Sequence, residues 1–124
     1  MESKRQQKFA RLIQKDLGEI FQRESRNLFN GAFITVTQVR MSPDLGTAKV
    51  FLSFLMEKDK EALLENIKSN TPVIRKSLGE RIRKQVRVIP VLYFYIDDTQ
   101  EYAARIDSLL NNLDIPPKEE EEEK

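Results

Sequence analysis

The segment FITVTQVRMSPDLGTAKVFLSFL, from Phe33 to Leu55, decides the fold that this sequence predicts. Its two ends, Phe33 to Val39 and Thr47 to Leu55, are dense in β-branched and aromatic residues, which favour strands. Between them, Ser42 to Gly46 (SPDLG) supplies a Pro with a fixed φ, an Asp able to bond the local backbone and a Gly tolerant of positive φ. The segment therefore predicts two strands joined as an antiparallel hairpin.

Helical periodicity flanks this hairpin on both sides. From Ser3 to about Arg26, apolar residues recur at i, i+3 and i+4, which predicts an amphipathic helix. After Glu57 the pattern is helical again, and Asn70-Thr71-Pro72 interrupts it because a proline inside a helix loses a hydrogen bond and clashes with the preceding turn. A further helix is predicted from Pro72 to Val88, with a kink near Gly79, since glycine costs about 1 kcal/mol in a helix interior.

The end of the chain adds a third strand and a last helix. Residues 91–96 (VLYFYI) predict a strand that ends at the turn Asp97-Asp98, after which Thr99 can cap a final helix. The predicted order is α-β-β-α-α-β-α, an α+β fold in which a three-stranded sheet packs against helices. The charge run after Pro116-Pro117 cannot bury a core, so we expect one domain over residues 1–113 and an acidic, disordered tail over residues 114–124. The apolar stripe of the final helix is Tyr102, Ile106, Leu109, Leu110 and Leu113.

Composition excludes several classes of chemistry. A chain of 124 residues with 40% hydrophobic and 33% charged residues suits one compact domain. The absence of Cys excludes disulfides, thiolate metal sites and cysteine nucleophiles, and the absence of His removes Ser/His/Asp and His-metal arrangements. The polar N-terminus lacks the apolar stretch of a secretory signal, so a cytoplasmic protein with no membrane partner is expected.

The formal net charge of +1 is a sum over unlike segments. Residues 114–124 hold six acids and two lysines, a net charge of about −4 at the usual charge states. Residues 1–113 hold 19 lysines and arginines against 14 acids, a net charge of about +5. A basic domain of this kind fits a polyanionic partner better than the whole-chain value indicates.

The sharpest charge asymmetry lies between Pro72 and Val88, where six cations accompany one acid, Glu80. Lys and Arg neutralise phosphates and release counterions, so a helix rich in them beside a sheet is typical of an RNA-binding surface; a solvated helix face is the alternative. The predicted RNA contacts are Arg75, Lys76, Arg81, Arg83, Lys84 and Arg87. Secondary phosphate contacts are predicted on the polar face of the first helix, which also carries Lys15, at Lys4, Arg5, Lys8 and Arg11.

Other constellations give weaker predictions. Asp97, Asp98 and Glu101 could in principle hold Mg²⁺, but adjacent acids before a capping Thr are more typical of a turn and a helix start. With no phosphate-binding loop, nucleophile elbow or metal-spaced ligand cluster, no catalytic residue, metal or cofactor is predicted. Tyr93 and Tyr95 alternate along the third strand, where base stacking and core packing against the final helix explain them equally well.

Several blocks, in order and spacing, resemble one family over about residues 5 to 113. The chain is similar to the bacterial ribosome-binding factor A family, small proteins that assist late maturation of the small ribosomal subunit. The blocks that carry the resemblance are Thr35-Val36-Thr37-Gln38-Val39, Ser42-Pro43-Asp44-Leu45, Ala48-Lys49-Val50, Ile74-Arg75-Lys76-Ser77-Leu78-Gly79, Pro90-Val91-Leu92-Tyr93-Phe94, Asp97 and Glu101-Tyr102.

The resemblance implies a KH-like domain of the type II arrangement. In ordinary KH modules a GxxG loop between two paired helices clamps the nucleic-acid backbone, and no GxxG occurs here. The family instead has a small residue, any residue and Gly at an interhelical kink. That pattern maps onto Ser77, Leu78 and Gly79, with Ser77 in place of the usual Ala.

The resemblance also implies a function without catalysis. It implies a monomer that binds free or immature 30S small ribosomal subunits and the 5′ region of 16S rRNA, and that assists late rRNA processing and assembly. The alternative is a general single-KH RNA-binding protein that acts on mRNA, which the absence of GxxG disfavours. An enzyme such as a metal-dependent nuclease would rest only on Asp97, Asp98 and Glu101.

Overall fold

The computed structural model describes residues 2–97. Its elements follow the order α-β-β-α-α-β, which confirms the predicted α+β class. The predicted final helix from Thr99 and the predicted tail of residues 114–124 lie outside the described residues. The observed elements are α1 (Lys4–Leu28), β1 (Phe33–Met41), β2 (Thr47–Leu55), α2 (Lys60–Ser69), α3 (Thr71–Ile82) and β3 (Val91–Ile96).

α1 begins with a capping box. The side chain of Ser3 accepts a hydrogen bond from the backbone N–H of Gln6 at 3.1 Å, and Oε1 of Gln6 accepts one from the backbone N–H of Ser3 at 2.8 Å. Such a box satisfies two backbone donors that no intrahelical bond can use. The apolar stripe of this helix is buried, and its members include Ala10, Ile13, Leu17, Ile20 and Phe21.

The sheet has β2 at its centre, antiparallel to β1 and parallel to β3. Between Val36 and Gln38 the register with β2 shifts by one residue, so Thr37 forms a β-bulge. The hydroxyl of Thr37 lies 2.6 Å from Oδ2 of Asp97 and donates a hydrogen bond to it. This bond ties the bulge in the first strand to the residue that follows the third.

The core lies between the helices and one face of the sheet. Alternate strand residues join the inward stripes of the three helices in one buried cluster, as period-2 and period-3.6 patterns require. The fully buried side chains that fill its centre are Phe21, Phe29, Phe54, Ile13, Leu17, Leu52, Ile67, Ile74 and Leu78. The remaining strand residues face away from this cluster.

α2 and α3 meet at the predicted interruption. One residue, Asn70, separates them, and its backbone N–H reaches the carbonyls of Asn66 and Ile67, both at 3.1 Å. Pro72 lies in the first turn of α3, where its missing N–H removes no intrahelical bond. Proline is therefore compatible with a new helix here and incompatible with the continuation of the previous one.

The second predicted kink, at Ser77-Leu78-Gly79, does not divide the helix. The stretch Ser77-Leu78-Gly79 lies inside α3, which runs from Thr71 to Ile82 without interruption, so the paired helices join at Asn70 instead. Gly79 has a packing role: a Cβ at this position would lie 3.3 Å from Cγ1 of Ile89. The absence of a side chain lets the segment before β3 approach the helix.

α3 also ends earlier than predicted, at Ile82 instead of Val88. The backbone N–H groups of Gln85 and Val86 reach the carbonyl of Ile82 at 2.8 and 3.1 Å and close a turn. The chain is then irregular as far as β3, and from this segment Val86 and Ile89 pack against the core. β-branched residues are poor helix formers, and here the two side chains are partly buried beyond the end of the helix. The cations that therefore lie beyond the helix are Arg83, Lys84 and Arg87.

Gly18 and Gly31 allow a matched test of these backbone conformations. Gly18 lies within α1 with nothing within 4 Å of the position that a Cβ would take, whereas Gly31 follows the helix at a φ of +78°. We expect Gly18→Ala to raise the free energy of unfolding by about 0.5–1 kcal/mol, because alanine is the better helix former. Gly31→Ala should lower it by about 1–2 kcal/mol, because a Cβ strains the left-handed conformation. Urea titrations measure both changes, and equal signs would contradict the structure.

Candidate nucleic-acid interface

The polar face of α1 carries a row of cations. Lys4, Lys8, Arg11 and Lys15 recur at intervals of four, three and four residues, which places them on one side of a helix, with Arg5 beside them. All five side chains are exposed, and the first turn of the helix contains no acid. The row faces solvent while the apolar stripe of the same helix faces the sheet.

A groove of about 850 Å³ lies beside this row, and we call it the basic groove. α1, the turn between β1 and β2 and the irregular segment between α3 and β3 bound it. Its apolar lining consists of Phe9, Leu12, Leu45, Val86 and Val88. Its polar lining consists of Arg5, Lys8, Arg11, Lys15 and Arg87, with Asp44 and Gln85.

The groove is strongly positive because its described lining has five cations and one carboxylate, that of Asp44. Oδ1 of Asp44 accepts a hydrogen bond from the hydroxyl of Ser42 at 2.7 Å and one from the backbone N–H of Gly46 at 3.0 Å. These two hydrogen bonds hold the pKa of Asp44 below its usual value. Asp44 is thus an ionised residue of the turn, and five cations line the groove against it. Such a concentration of one charge attracts polyanions.

The same turn contains a strained residue. Leu45 has a φ of +62°, a left-handed conformation that costs a non-glycine residue roughly 1–2 kcal/mol. In this conformation Leu45 packs against the core and lines the groove. Strain of this kind concentrates at functional sites, where the surrounding structure enforces it.

Two hydrogen bonds to Met41 fix the start of α1 beside the turn. Nε2 of Gln6, which is buried, donates to the carbonyl of Met41 at 2.9 Å. The backbone N–H of Met41 donates to Oε2 of Glu2 at 3.2 Å. Because Met41 is the last residue of β1, these bonds hold Arg5 and Lys8 next to the turn that carries Asp44 and Leu45.

Arg75 fixes the third wall of the groove. Its Nε donates to the carbonyl of Pro90 at 2.9 Å, and its Nη2 donates to the carbonyl of Ile89 at 2.6 Å. Together with the close approach of Ile89 to Gly79, these bonds hold the irregular segment against α3. Arg87 lies in that segment and reaches the groove.

The structure brings together four of the ten cations predicted to contact RNA. Arg5, Lys8, Arg11 and Arg87 line the basic groove, although they come from opposite ends of the described chain. Lys4 is exposed at the first position of α1. Two further cations, exposed in the turn after α3 and outside the groove lining, are Arg83 and Lys84.

Arg75 and Lys76 lie elsewhere. They line a separate hollow of about 300 Å³ with Pro72, Gly79 and Ile89. Lys76 is exposed, whereas the guanidinium of Arg75 is committed to the two carbonyls before β3. The cations that the sequence predicted on one surface of one helix therefore lie apart. Arg87 lines the basic groove, whereas Arg75 and Lys76 line the separate hollow.

Arg81, a predicted phosphate contact, forms ion pairs with α1. Its Nη1 donates to Oδ1 of Asp16 at 3.1 Å and to Oε1 of Glu19 at 2.5 Å, both on α1. The hydrogen bond from Arg81 lowers the pKa of Glu19, and the bond to Glu19 raises the pKa of Arg81. These contacts connect α3 to α1 through the side chain of Arg81.

Sequence reasoning left out two groups that line the groove. Lys15 continues the row of cations on α1, four residues after Arg11, and this helical spacing indicates that it lies on the same face. Gln85 enters the lining from the turn after α3, and no local pattern marks it. The apolar lining was also invisible in the sequence, because it forms only where three elements meet.

Residues 2–97 contain neither a membrane-spanning helix nor a cluster of metal ligands. Within this range no helix is long and apolar enough to cross a membrane. The same range contains no group of three or more acidic side chains placed as metal ligands. Asp98 and Glu101, on which the weak metal alternative depends, lie outside the described residues.

Comparisons with known proteins agree with one another. A family model described as ribosome-binding factor A matches residues 5–110. A ribosome-binding factor A from Cytophaga hutchinsonii is 55% identical over 121 residues, which cover 98% of this chain and 91% of that relative. The crystal structure of ribosome-binding factor A from Thermus thermophilus has a fold similar to this one, with a TM-score of 0.62 at 21% identity, covering 73% of this chain and 94% of that chain. Ribosome binding factor A of Thermus thermophilus fitted into the cryo-EM map of a 30S complex matches with a TM-score of 0.56 at 25% identity, covering 70% of this chain and 89% of that chain.

The role assigned to Arg81 predicts a loss of stability when it is removed. Arg81→Ala deprives the buried carboxylate of Asp16 of a charged hydrogen-bond donor, so the free energy of unfolding should fall by about 1.5–3 kcal/mol. Lys84→Ala, an exposed control in the next turn, should change it by less than about 0.5 kcal/mol. Thermal and urea unfolding measure both variants. Equal free energies of unfolding for the two variants would contradict this role and indicate that Arg81 is an ordinary surface cation.

Proposed function

The chain belongs to the ribosome-binding factor A family, and we propose that it binds free or immature 30S small ribosomal subunits through the basic groove. The RNA that we propose as its ligand is the 5′ region of 16S rRNA. By binding there, the protein assists late rRNA processing and assembly. We further propose that the protein acts in the cytoplasm as a monomer, without a cofactor and without catalysing a reaction.

The observation that carries this proposal is the charge of the groove. Five cations line it, four from α1 and one from the irregular segment before β3, and among the described residues only one acid, Asp44, faces them. An ordinary surface intersperses both signs, whereas a concentration of cations around a concave surface is the electrostatic footprint of nucleic-acid binding. The apolar lining gives a strand of RNA a surface for its sugars and bases beside the phosphate contacts.

The relatives support the subunit as the partner. The structural match to a Thermus thermophilus ribosome binding factor A fitted into a 30S complex concerns a protein in contact with the small subunit. Shared family membership extends that partner to this chain as a proposal. The fold comparison covers 70% of this chain, so it includes most of the described elements.

The mechanism that we propose is a shift in RNA conformation. A protein that binds one arrangement of the rRNA better than others raises its population by at most the difference in affinity between them. The cations of the groove supply binding energy, and the fixed positions of α1, the turn and the irregular segment select the arrangement. This mechanism requires no proton transfer and no bond breakage.

A general mRNA-binding role has less support. KH modules that clamp single strands use a GxxG loop between their paired helices. Here one residue, Asn70, separates α2 from α3, and no GxxG occurs in the sequence. Selectivity for small subunits over arbitrary single strands distinguishes the two functions.

Reversal of charge in the groove should abolish subunit binding without unfolding the protein. The triple variant Arg5→Glu, Lys8→Glu, Arg11→Glu removes three cations, and each phosphate contact contributes about 0.7–0.9 to the slope of log affinity against log salt concentration. We therefore expect a slope that is shallower by roughly 2–3 and a large loss of affinity at low salt. Acids near the N-terminus of a helix are favoured by its dipole, so α1 should be retained. Sedimentation with purified 30S subunits at several salt concentrations measures the effect.

A matched variant controls for net charge. Arg26→Glu, Lys58→Glu, Lys68→Glu changes the charge by the same amount at exposed positions outside the groove lining. This control should keep most of the affinity and the salt slope. Equal losses in both triple variants would contradict the groove as the binding site. Equal affinity of the unmodified protein for 50S subunits or unrelated RNA would contradict the proposed partner.

A further inference from the structure

The face of the sheet that turns away from the core has an ordered arrangement of side chains, and we call it the outer face. The register places Arg40, Lys49 and Tyr93 in one row across the three strands. It places Gln38, Phe51 and Tyr95 in the next row. In these two rows the aromatic rings lie on β2 and β3, and the two residues of β1, Arg40 and Gln38, are polar.

The tyrosines on this face are exposed. Tyr93 retains 50% and Tyr95 retains 40% of its accessible surface, although both belong to a strand that is buried on its other side. The ring of Tyr95 stacks on that of Phe51, with centroids 5.4 Å apart and planes inclined by 27°. This contact fixes the orientation of Tyr95 and still leaves much of its ring accessible.

Charge distinguishes this face from an ordinary apolar patch. None of the outward residues of the three described strands is acidic, and both exposed cations, Arg40 and Lys49, lie in the row of Tyr93. The acid nearest in the chain, Asp97, follows β3 and accepts the hydrogen bond from Thr37. Cations beside exposed rings, without acids, match a ligand that has both phosphates and flat bases.

We propose that the outer face binds unpaired bases of single-stranded RNA, with Tyr93 and Tyr95 as stacking platforms and Lys49 and Arg40 as phosphate contacts. The inference rests on the proposed function, because it supplies a second contact for the same RNA. Sheet faces with exposed aromatic residues bind single strands in this way in unrelated folds. Stacking tolerates any base, so this site contributes affinity for unpaired RNA more than it reads sequence.

The spacing of the two rings favours a single strand over a duplex. Residues two apart on a strand are separated by about 6.8 Å, which is twice the rise of about 3.4 Å between stacked bases along a nucleic-acid strand. Successive bases that reach both rings must therefore separate from each other. An unpaired strand permits this separation, whereas a duplex resists it.

The position of the outer face makes it continuous with the basic groove. Arg40 and Lys49 lie at the ends of β1 and β2 that join through the turn, and that turn carries Asp44 and Leu45 in the groove lining. A strand whose phosphates follow the groove can pass around the turn and reach Lys49 and Tyr93. RNA is therefore favoured over a protein as the occupant.

A short oligonucleotide tests the outer face apart from the subunit. The full chain is titrated into a fluorescein-labelled heptauridylate, and binding is followed by anisotropy and by quenching of tyrosine emission. The protein has no Trp and three Tyr, two of them on this face, and Tyr102→Phe removes the third signal. We expect Tyr93→Ala and Tyr95→Ala to weaken binding about tenfold each, as the loss of one base stack does. Tyr93→Phe and Tyr95→Phe should bind within twofold of the unmodified chain.

Other variants separate stacking from charge and from folding. Lys49→Glu should weaken binding and reduce its dependence on salt, whereas Val91→Ala, an exposed aliphatic control on the same face, should have no effect. Circular dichroism confirms that each variant is folded. Binding by both tyrosine-to-alanine variants within twofold of the unmodified chain would overturn the proposal.

Another occupant of the face would also overturn it. Nuclear Overhauser contacts between the rings of Tyr93 or Tyr95 and methyl groups of residues 99–113 in the free chain would assign the face to the chain itself. Concentration-dependent sedimentation that Tyr93→Ala abolishes would assign it to a second copy. If tyrosine variants keep the oligonucleotide while groove variants lose the subunit, the proposed function stands and this inference fails. The reverse result would retain this inference and contradict the proposed function.

Discussion

The attachment of α1 to β1 is the constraint on which the rest of the structure depends. Within residues 2–97, β1 is an edge strand, so its outer carbonyls have no neighbouring strand to pair with there. The side-chain amides of Gln6 and Gln14 supply donors instead, to Met41 at 2.9 Å and to Val36 at 3.1 Å. These bonds lie eight residues apart on α1, so rotation of the helix would leave both carbonyls without their side-chain donors. Its apolar stripe is thereby directed to the core and its cations to the groove.

This attachment also sorts the charges of α1. Asp16 and Glu19 lie on the side that meets α3, where Arg81 binds both carboxylates. These two acids, which could otherwise neutralise cations of the basic groove, thus form ion pairs with Arg81. No acid occurs among residues 4–15 of this helix, and of the cations there Lys15 acts on the charge of Glu19. A structural ion pair at one place therefore increases the positive potential at another.

Local patterns predicted the elements well because each is fixed by its own residues. β2 has the predicted bounds, Thr47–Leu55, since its alternation and the SPDLG turn leave no other register. The end of α3 was not predictable in this way. Val86 continues the helical spacing of Leu78 and Ile82, but the contact between Gly79 and Ile89 and the bonds from Arg75 hold that segment in an irregular path. Likewise, the carboxylates that bind Arg81 lie more than sixty residues away in the chain. The local charge pattern therefore predicted an exposed cation that contacts phosphate.

The cations in the first turn of α1 do not favour the helix itself. The N-terminus of a helix carries a partial positive charge, so a cation there is unfavourable by about 0.3–1 kcal/mol and an acid would be favourable by a similar amount. Lys4 and Arg5 occupy this turn, which contains no acid. The capping box of Ser3 and Gln6 offsets part of this cost, because it satisfies donors without adding negative charge. A phosphate near this turn would interact favourably with the cations and with the helix dipole at once. The arrangement that weakens the free helix is thus the one that strengthens its contact with a polyanion.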